Sequence, residues 1–265
     1  MNTVQLAARF RAQVVSMSHT ARAAHLASAL SCIDLIAVLY HSVLRLDPAN
    51  PQAPDRDRFI LSKGHAATAL YAALAYKGLI TEADLAGYGR AGSYLEEHPS
   101  PKLPGVEAAT GSLGHGLPIG CGMALAARIL KHDYRVYVLM SDGECNEGSV
   151  WEAAMFASAH NLDNLTAMVD YNKWQATGRS RDVLRLEPLA DKWRTFGWDV
   201  QEIDGHDHDQ IRQALARPVA SMPRMIVAHT VKGKGVSFME DDNNWHYRVP
   251  TAEEVRAAHD ELGVP

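Results

Sequence analysis

No stretch of the 265-residue sequence stays apolar for long enough to cross a bilayer as a helix, which excludes a helical membrane protein. There is no excess of basic charge either. The 26 Lys and Arg are outnumbered by 31 Asp and Glu, giving a net charge of −5, so nothing marks the chain for nucleic acid. Cysteine is scarce. Cys32, Cys121 and Cys145 are odd in number and lack metal-type spacing, which argues against a disulfide framework and for reduced thiols in a cytoplasmic protein. Internal repeats and low-complexity tracts are absent. The first acidic residue is Asp34, with Arg9, Arg11 and Arg22 ahead of it. That start loosely resembles a transit peptide but reads better as an amphipathic first helix.

What is present is a hydrophobic fraction of 47%, ample for a core. Helical periodicity covers residues 4–24, with Leu6, Phe10, Val14, Met17 and Ala21 on one face, and His25-Leu26-Ala27-Ser28 interrupts it. A second helix covers 31–46 and stops before Asp47-Pro48. Phe59-Ile60-Leu61 reads as a strand, followed by a helix to Gly78. Residues 87–117 form a long Gly- and Pro-rich loop, of the kind that is usually functional or disordered. The helix expected over 117–131 is apolar on nearly all sides and so should be buried. Short apolar runs at 136–140, 165–169, 200–203 and 225–231 read as buried strands, alternating with helices at 150–160, 189–196 and 209–216. Thr251 and Glu254 form a capping box for a last helix to Leu262. The alternation predicts an α/β fold, a doubly wound and mostly parallel sheet flanked by helices, in a single domain over 1–265.

The chain is organised around residues 135–178. The run Val136–Met140 ends in Ser141-Asp142-Gly143-Glu144, and the run from Leu165 to Val169 ends in Asp170-Tyr171-Asn172. Polar clusters thus sit at the carboxyl ends of two strands joined through a helix, where open α/β sheets place their ligands. Asp142 offers a carboxylate oxygen and Asn172 an amide oxygen, and one crossover could bring both onto a small hard cation such as magnesium, with phosphates completing the shell. Gly143 lets backbone approach a phosphate. A plain Asp-Gly turn and a plain Asn turn are the alternative. The glycines Gly114, Gly116 and Gly120 do not form a dinucleotide fingerprint, because no strand precedes them.

These residues lead to a family. Ser141-Asp142-Gly143-Glu144 followed by Asn172 resembles the thiamine diphosphate motif, and five collinear words, LSKGHAATALY (61–71), EEHPSPK (96–102), TGSLGHGL (110–117), SDGECNEGSVWEA (141–153) and VKGKGVSF (231–238), are similar to transketolase. Three positions depart from the family pattern: Ser141 for a usual Gly, His115 for a usual Gln, and Ala27 where HPG is normal. The resemblance implies the pyrophosphate domain of the thiamine diphosphate fold and transfer of a two-carbon ketol unit from a ketose, or ketose phosphate, to an aldose. It implies thiamine diphosphate with Mg2+, or Ca2+ or Mn2+ in its place, held by Asp142, Asn172 and the carbonyl of Trp174. Gly111, Ser112, Leu113, Gly114, Gly143, Glu144, His65, Lys232 and His246 are implied to bind the cofactor.

Of thirteen histidines, the resemblance singles out four as catalytic: His25, His65, His98 and His246, with His25 and His246 over the donor hydroxyls and His98 at its terminal hydroxyl end. Imidazole is the natural group for moving a proton near neutral pH. His41, His132, His160, His206, His208 and His259 read as surface or capping residues. Lys63 is a candidate charge beside the diphosphate. Glu144, Glu147 and Glu152 would be buried together and titrate as a group.

The glutamate that contacts the aminopyrimidine ring in this family lies in a second domain that the sequence does not contain. The resemblance therefore implies a split transketolase, active only with a C-terminal subunit that carries the pyrimidine-binding domain, as two copies of each chain. Two other readings are a subunit like deoxyxylulose phosphate synthase or the 2-oxoacid dehydrogenase alpha chain, and a non-catalytic scaffold. The four histidines and both metal side chains argue against the last.

Overall fold

Short runs of Val, Leu, Met and Ala build the centre of the molecule. In the computed structural model, which describes residues 1–218 and 221–264, β1 (Arg58–Leu61), β2 (Val136–Ser141), β3 (Leu165–Tyr171), β4 (Asp199–Asp204) and β5 (Arg224–His229) form one sheet. Their order is β1-β2-β3-β5-β4 and every pairing is parallel. Parallel strands need covered faces on both sides, and the pleat sorts the side chains accordingly. Phe59, Leu61, Tyr137, Leu139, Met168 and Ile226 point into one core, while Ile60, Val136, Val138, Met140, Ala167 and Val227 point into the other.

The first core is covered by α1 (Thr3–Ala21), α2 (Leu26–Ser31), α3 (Ile33–Val38) and α4 (Ala67–Tyr76), the second by α6 (Gly116–Leu130), α7 (Gly148–Ala159) and α9 (Leu189–Thr195). The short α5 (Glu82–Leu85) and α8 (Ser180–Val183) lie in connections, α10 (His208–Ala216) joins β4 to β5, and α11 (Ala252–Leu262) packs on α1. Helices thus flank both faces, as expected of a doubly wound sheet. None of the helices in the described residues is long and apolar enough to cross a membrane. Pro265, the last residue of the expected domain span, lies outside the described residues.

The structure differs from the sequence reading at three places. The first helix breaks at Arg22, not at His25: Arg22 and His25 are both left-handed (φ 52° and 69°), and the chain is helical again from Leu26. Neither is Gly; the turn is fixed from afar, by the His25 N–H donating to the His246 carbonyl at 2.7 Å. The second expected helix is a succession of α2, α3 and a π turn over Leu39–Val43. And α6, expected to be buried all round, exposes Ile129 and Leu130, while the neighbouring α7 exposes Met155 and Phe156. The capping box of Thr251 and Glu254 is present on α11.

Candidate active site

Strand register brings the two central clusters together. Ser141 pairs with Asp170 across β2 and β3, so Asp142 and Asn172 leave adjacent strands at the same end of the sheet. Asp142 is fully buried; one oxygen accepts from Ser180 Oγ at 2.7 Å and the other from its neighbour's backbone, Gly143 N–H, at 2.9 Å. Burial pushes the Asp142 carboxyl up to about 6. The Asn172 side-chain amide donates to Asp170 Oδ2 at 3.2 Å, which fixes its orientation, and its Oδ1 accepts from Trp174 N–H at 3.0 Å. Trp174 is half-buried under Arg179, whose guanidinium stacks 3.7 Å over the indole.

Beneath them lies a buried ion pair. Lys63 and Asp170 are both inaccessible to solvent and bonded to each other; Ser31, Thr230 and Asn172 complete the carboxylate's partners, and Lys63 also donates to the Ser28 carbonyl. Burial alone would push the Asp170 carboxyl up; Lys63 overrides it and holds the carboxyl down. The partner in turn holds the Lys63 amine up against burial. Lys63, a candidate for the diphosphate from the sequence, is therefore the counter-ion of Asp170. The second lysine is different. Lys232 Nζ is bonded to Asn243 Oδ1 at 2.6 Å and His246 Nδ1 at 3.0 Å, neither of them anionic. Burial, with the Lys63 charge second, lowers its amine to about 8.

Three of the four singled-out histidines form one cluster. The ring of His25 lies 5.4 Å from that of His65 and 5.1 Å from that of His246, and His65 and His246 are 6.2 Å apart between centroids. Burial lowers all three, His65 well below its usual value and His246 to about 3, so each ring is neutral at pH 7. His98 reaches the same region from the long loop. Its ring lies so close on Gly111 (φ 144°) that a Cβ there would meet His98 Cδ2 at 2.6 Å, which explains the glycine.

The TGSLG turn is held by Glu144. This buried carboxylate accepts from Ser62 Oγ, from Gly114 N–H at 2.9 Å and from Ser141 N–H at 3.3 Å, so its oxygens serve the loop framework. Ser112 is exposed and Leu113 half-buried beside it. The three glutamates do not form a buried group within this chain: Glu147 and Glu152 are not buried, and only Glu144 is. Two of the departures from the family pattern are accommodated. Ser141 Oγ accepts from Glu144 N–H, capping the turn. Ala27 lies inside α2, where no glycine is required, and its carbonyl accepts from Gly233 N–H. His115 is an exposed residue at the start of α6.

Sequence reasoning missed His206 and His208, which are not surface residues. Both side chains are largely buried against the Asp34 carboxylate, at 2.7 and 3.0 Å. A lone acid in the otherwise apolar segment 32–38, CIDLIAV, was the available signal that Asp34 must have buried partners.

The region thus combines oxygen donors at paired strand ends, a buried carboxylate whose charge burial disfavours, and an amine beside neutral imidazoles. The comparisons give the class of protein. The family model of the transketolase thiamine diphosphate-binding domain matches residues 3–265. The chain is 43% identical over 250 residues to one of the subunits of the apulose-4-phosphate transketolase of Phocaeicola vulgatus, covering 94% of this chain and 89% of that one. It is 44% identical to a 6-deoxy-6-sulfo-D-fructose transketolase subunit of a Clostridium species, covering 90% and 88%. Among solved structures, the transketolase of Campylobacter jejuni superposes with a TM-score of 0.93 at 29% identity, over the whole of this chain and 43% of that one. The chain belongs to the transketolase family, as its N-terminal, thiamine diphosphate-binding part. It spans about two-fifths of the length of the solved transketolases it matches.

Proposed function

We propose that this chain is the N-terminal subunit of a split transketolase and forms one half of its thiamine diphosphate site. The observation that carries the reading is the placement of Asp142 and Asn172 at adjacent strand ends, with Lys232 and the His25–His65–His246 cluster gathered in the same structure. The donor set fits the group: a carboxylate and an amide oxygen suit Mg2+, or Ca2+ or Mn2+ in its place. Asp142, Asn172 and the Trp174 carbonyl would hold the metal. Gly111, Ser112, Leu113, Gly114, Gly143, Glu144, His65, Lys232 and His246 would surround the diphosphate and thiazolium portion, with Glu144 acting through the turn it braces. Bound thiamine diphosphate supplies the stabilised carbanion chemistry by which a ketol unit's carbon–carbon bond is broken and re-formed.

The protein's own residues orient and move protons. His25, His98 and His246 would contact the hydroxyls of a ketose donor, and an aldose would accept the two-carbon unit. Neutral imidazoles can donate one hydrogen bond and accept another, which suits a substrate whose hydroxyl must lose a proton.

The relatives named as subunits, covered almost end to end, support a separate partner that carries the pyrimidine-binding domain. We infer a single pyrophosphate-binding domain over 1–265 and an assembly of two copies of each chain. The exposed apolar residues of α6 and α7 agree with a surface that meets another chain. Purified alone, the chain should show no ketol transfer. Copurification with the pyrimidine-domain subunit, light scattering and a coupled assay on sugar phosphates test this. Robust activity from this chain alone would overturn the split-enzyme reading.

A further inference from the structure

Lys232 has a position to keep. It lies in the turn over 230–235, directly after β5, and the turn is sharp: Gly233 and Gly235 have φ of 79° and 95°. A Cβ at Gly233 would meet the Met239 carbonyl oxygen at 2.2 Å, and one at Gly235 would meet Arg11 Cδ at 2.6 Å. A buried ammonium on such a turn depends on what holds the backbone, since burial disfavours its charge.

The backbone is held on both sides of Lys232 by one buried network. The Val231 N–H donates to His206 Nε2 at 2.8 Å. Arg11 Nε donates to the Lys234 carbonyl at 2.8 Å. Both side chains converge on Asp34: His206 Nδ1 lies 2.7 Å from its Oδ2, and the Arg11 guanidinium takes both of its oxygens. His208 Nε2 adds a fourth donor at 3.0 Å. Arg11 comes from α1, Asp34 from α3, and His206 from the turn after β4, so three separate elements meet at this carboxylate. Because Nε2 accepts from a backbone N–H, the His206 proton must be on Nδ1, which is where Asp34 receives it. The carboxylate thus sets the tautomer, and the tautomer makes the ring an acceptor for the turn.

We propose that Asp34, Arg11 and His206 form a buried clamp that positions Lys232 by gripping the backbone at Val231 and Lys234. His206 is a positioning residue: it acts through the turn, by its contact with the Val231 N–H. The clamp's service to the cofactor rests on the assignment of Lys232 to the diphosphate; the grip on the turn does not.

Two measurements separate these levels. Hydrogen exchange on the full chain reads the grip. In His206→Ala the Val231 amide loses its acceptor, and exchange across residues 231–235 should rise by about five- to tenfold, the usual worth of one hydrogen bond. Steady-state kinetics on the complex with its partner read the service. The KM for thiamine diphosphate should rise about tenfold, with a smaller change in kcat, because a displaced ammonium weakens cofactor binding first. His206→Gln offers an amide oxygen where Nε2 stood and should restore both readouts most of the way. If His206→Ala does not fold, His206→Gln decides alone: near-parental exchange and KM support the clamp, and a loss of both in a folded protein overturns it. Unchanged exchange in His206→Ala overturns the grip. Raised exchange with an unchanged KM overturns the part assigned to the clamp in cofactor binding. A Lys232→Ala control that leaves the KM unchanged would place the failure in the assignment of Lys232 instead.

Discussion

Lys232 Nζ lies 3.0 Å from His246 Nδ1. An ammonium can only donate, so Nδ1 accepts and the His246 ring carries its proton on Nε2. Burial, with the Lys232 charge next, lowers His246 to about 3, which keeps this tautomer neutral through the physiological range. Two residues 14 positions apart in the sequence therefore act as one unit, an amine that orients an imidazole.

His246→Ala should slow turnover by a factor of about 10² to 10⁴, the usual worth of a positioned proton-transfer group. Cofactor binding should survive in part, since the proposed metal ligands Asp142 and Asn172 are untouched. Steady-state kinetics on the assembled complex check this. Unchanged turnover would remove His246 from the chemistry.

The amine predicts a pH dependence. Lys232 is lowered to about 8 from an ordinary 10.5. Below pH 8 it is charged in the folded chain, and the desolvated ammonium costs stability; that cost is relieved as pH rises from about 8 toward the unfolded value. Diphosphate binding wants the charge. Affinity for thiamine diphosphate should therefore fall by up to about tenfold between pH 7 and 9, with proton uptake on binding at the upper end. Calorimetry in two buffers of different ionisation heat measures the uptake, and Lys232→Met should abolish it.

The buried pair predicts a stability effect. Asp170→Ala leaves the Lys63 ammonium buried without its counter-ion, together with the Ser31 and Thr230 hydroxyls that bond to it. Removing one partner of a buried pair costs about 3–5 kcal/mol. Urea denaturation of the chain, read as a shift in midpoint at constant slope, checks the figure.

Much of this was legible in the sequence because it is local. The strands are short apolar runs that end in polar turns, and a parallel sheet buries such runs on both faces; each of the five was expected within a few residues of where it lies. Asp142 and Asn172 were legible because one crossover fixes their relation. What was not legible depends on distant contacts. The break at Arg22–His25 carries no Gly or Pro and is held by a bond to His246, far along the chain. His206 read as a surface residue because its partner, Asp34, lies 172 positions away. Lys63 and Lys232 looked equivalent beside their glycines, and only the fold shows that one is bonded to a carboxylate and the other to an amide oxygen and an imidazole. Ile129 and Leu130 of α6 read as buried because periodicity cannot tell an apolar side chain in the core from one that the fold leaves exposed.

Asp142 is proposed to hold the metal ion through which the diphosphate is bound. Calorimetric titration of thiamine diphosphate with Mg2+ into this chain assembled with its pyrimidine-domain partner tests it most directly, parent against Asp142→Ala. Saturable binding to the parent with no measurable heat in Asp142→Ala is the expected result, because Asp142 is the one charged side chain among the proposed metal ligands. Parent-like affinity in a folded Asp142→Ala complex would contradict it.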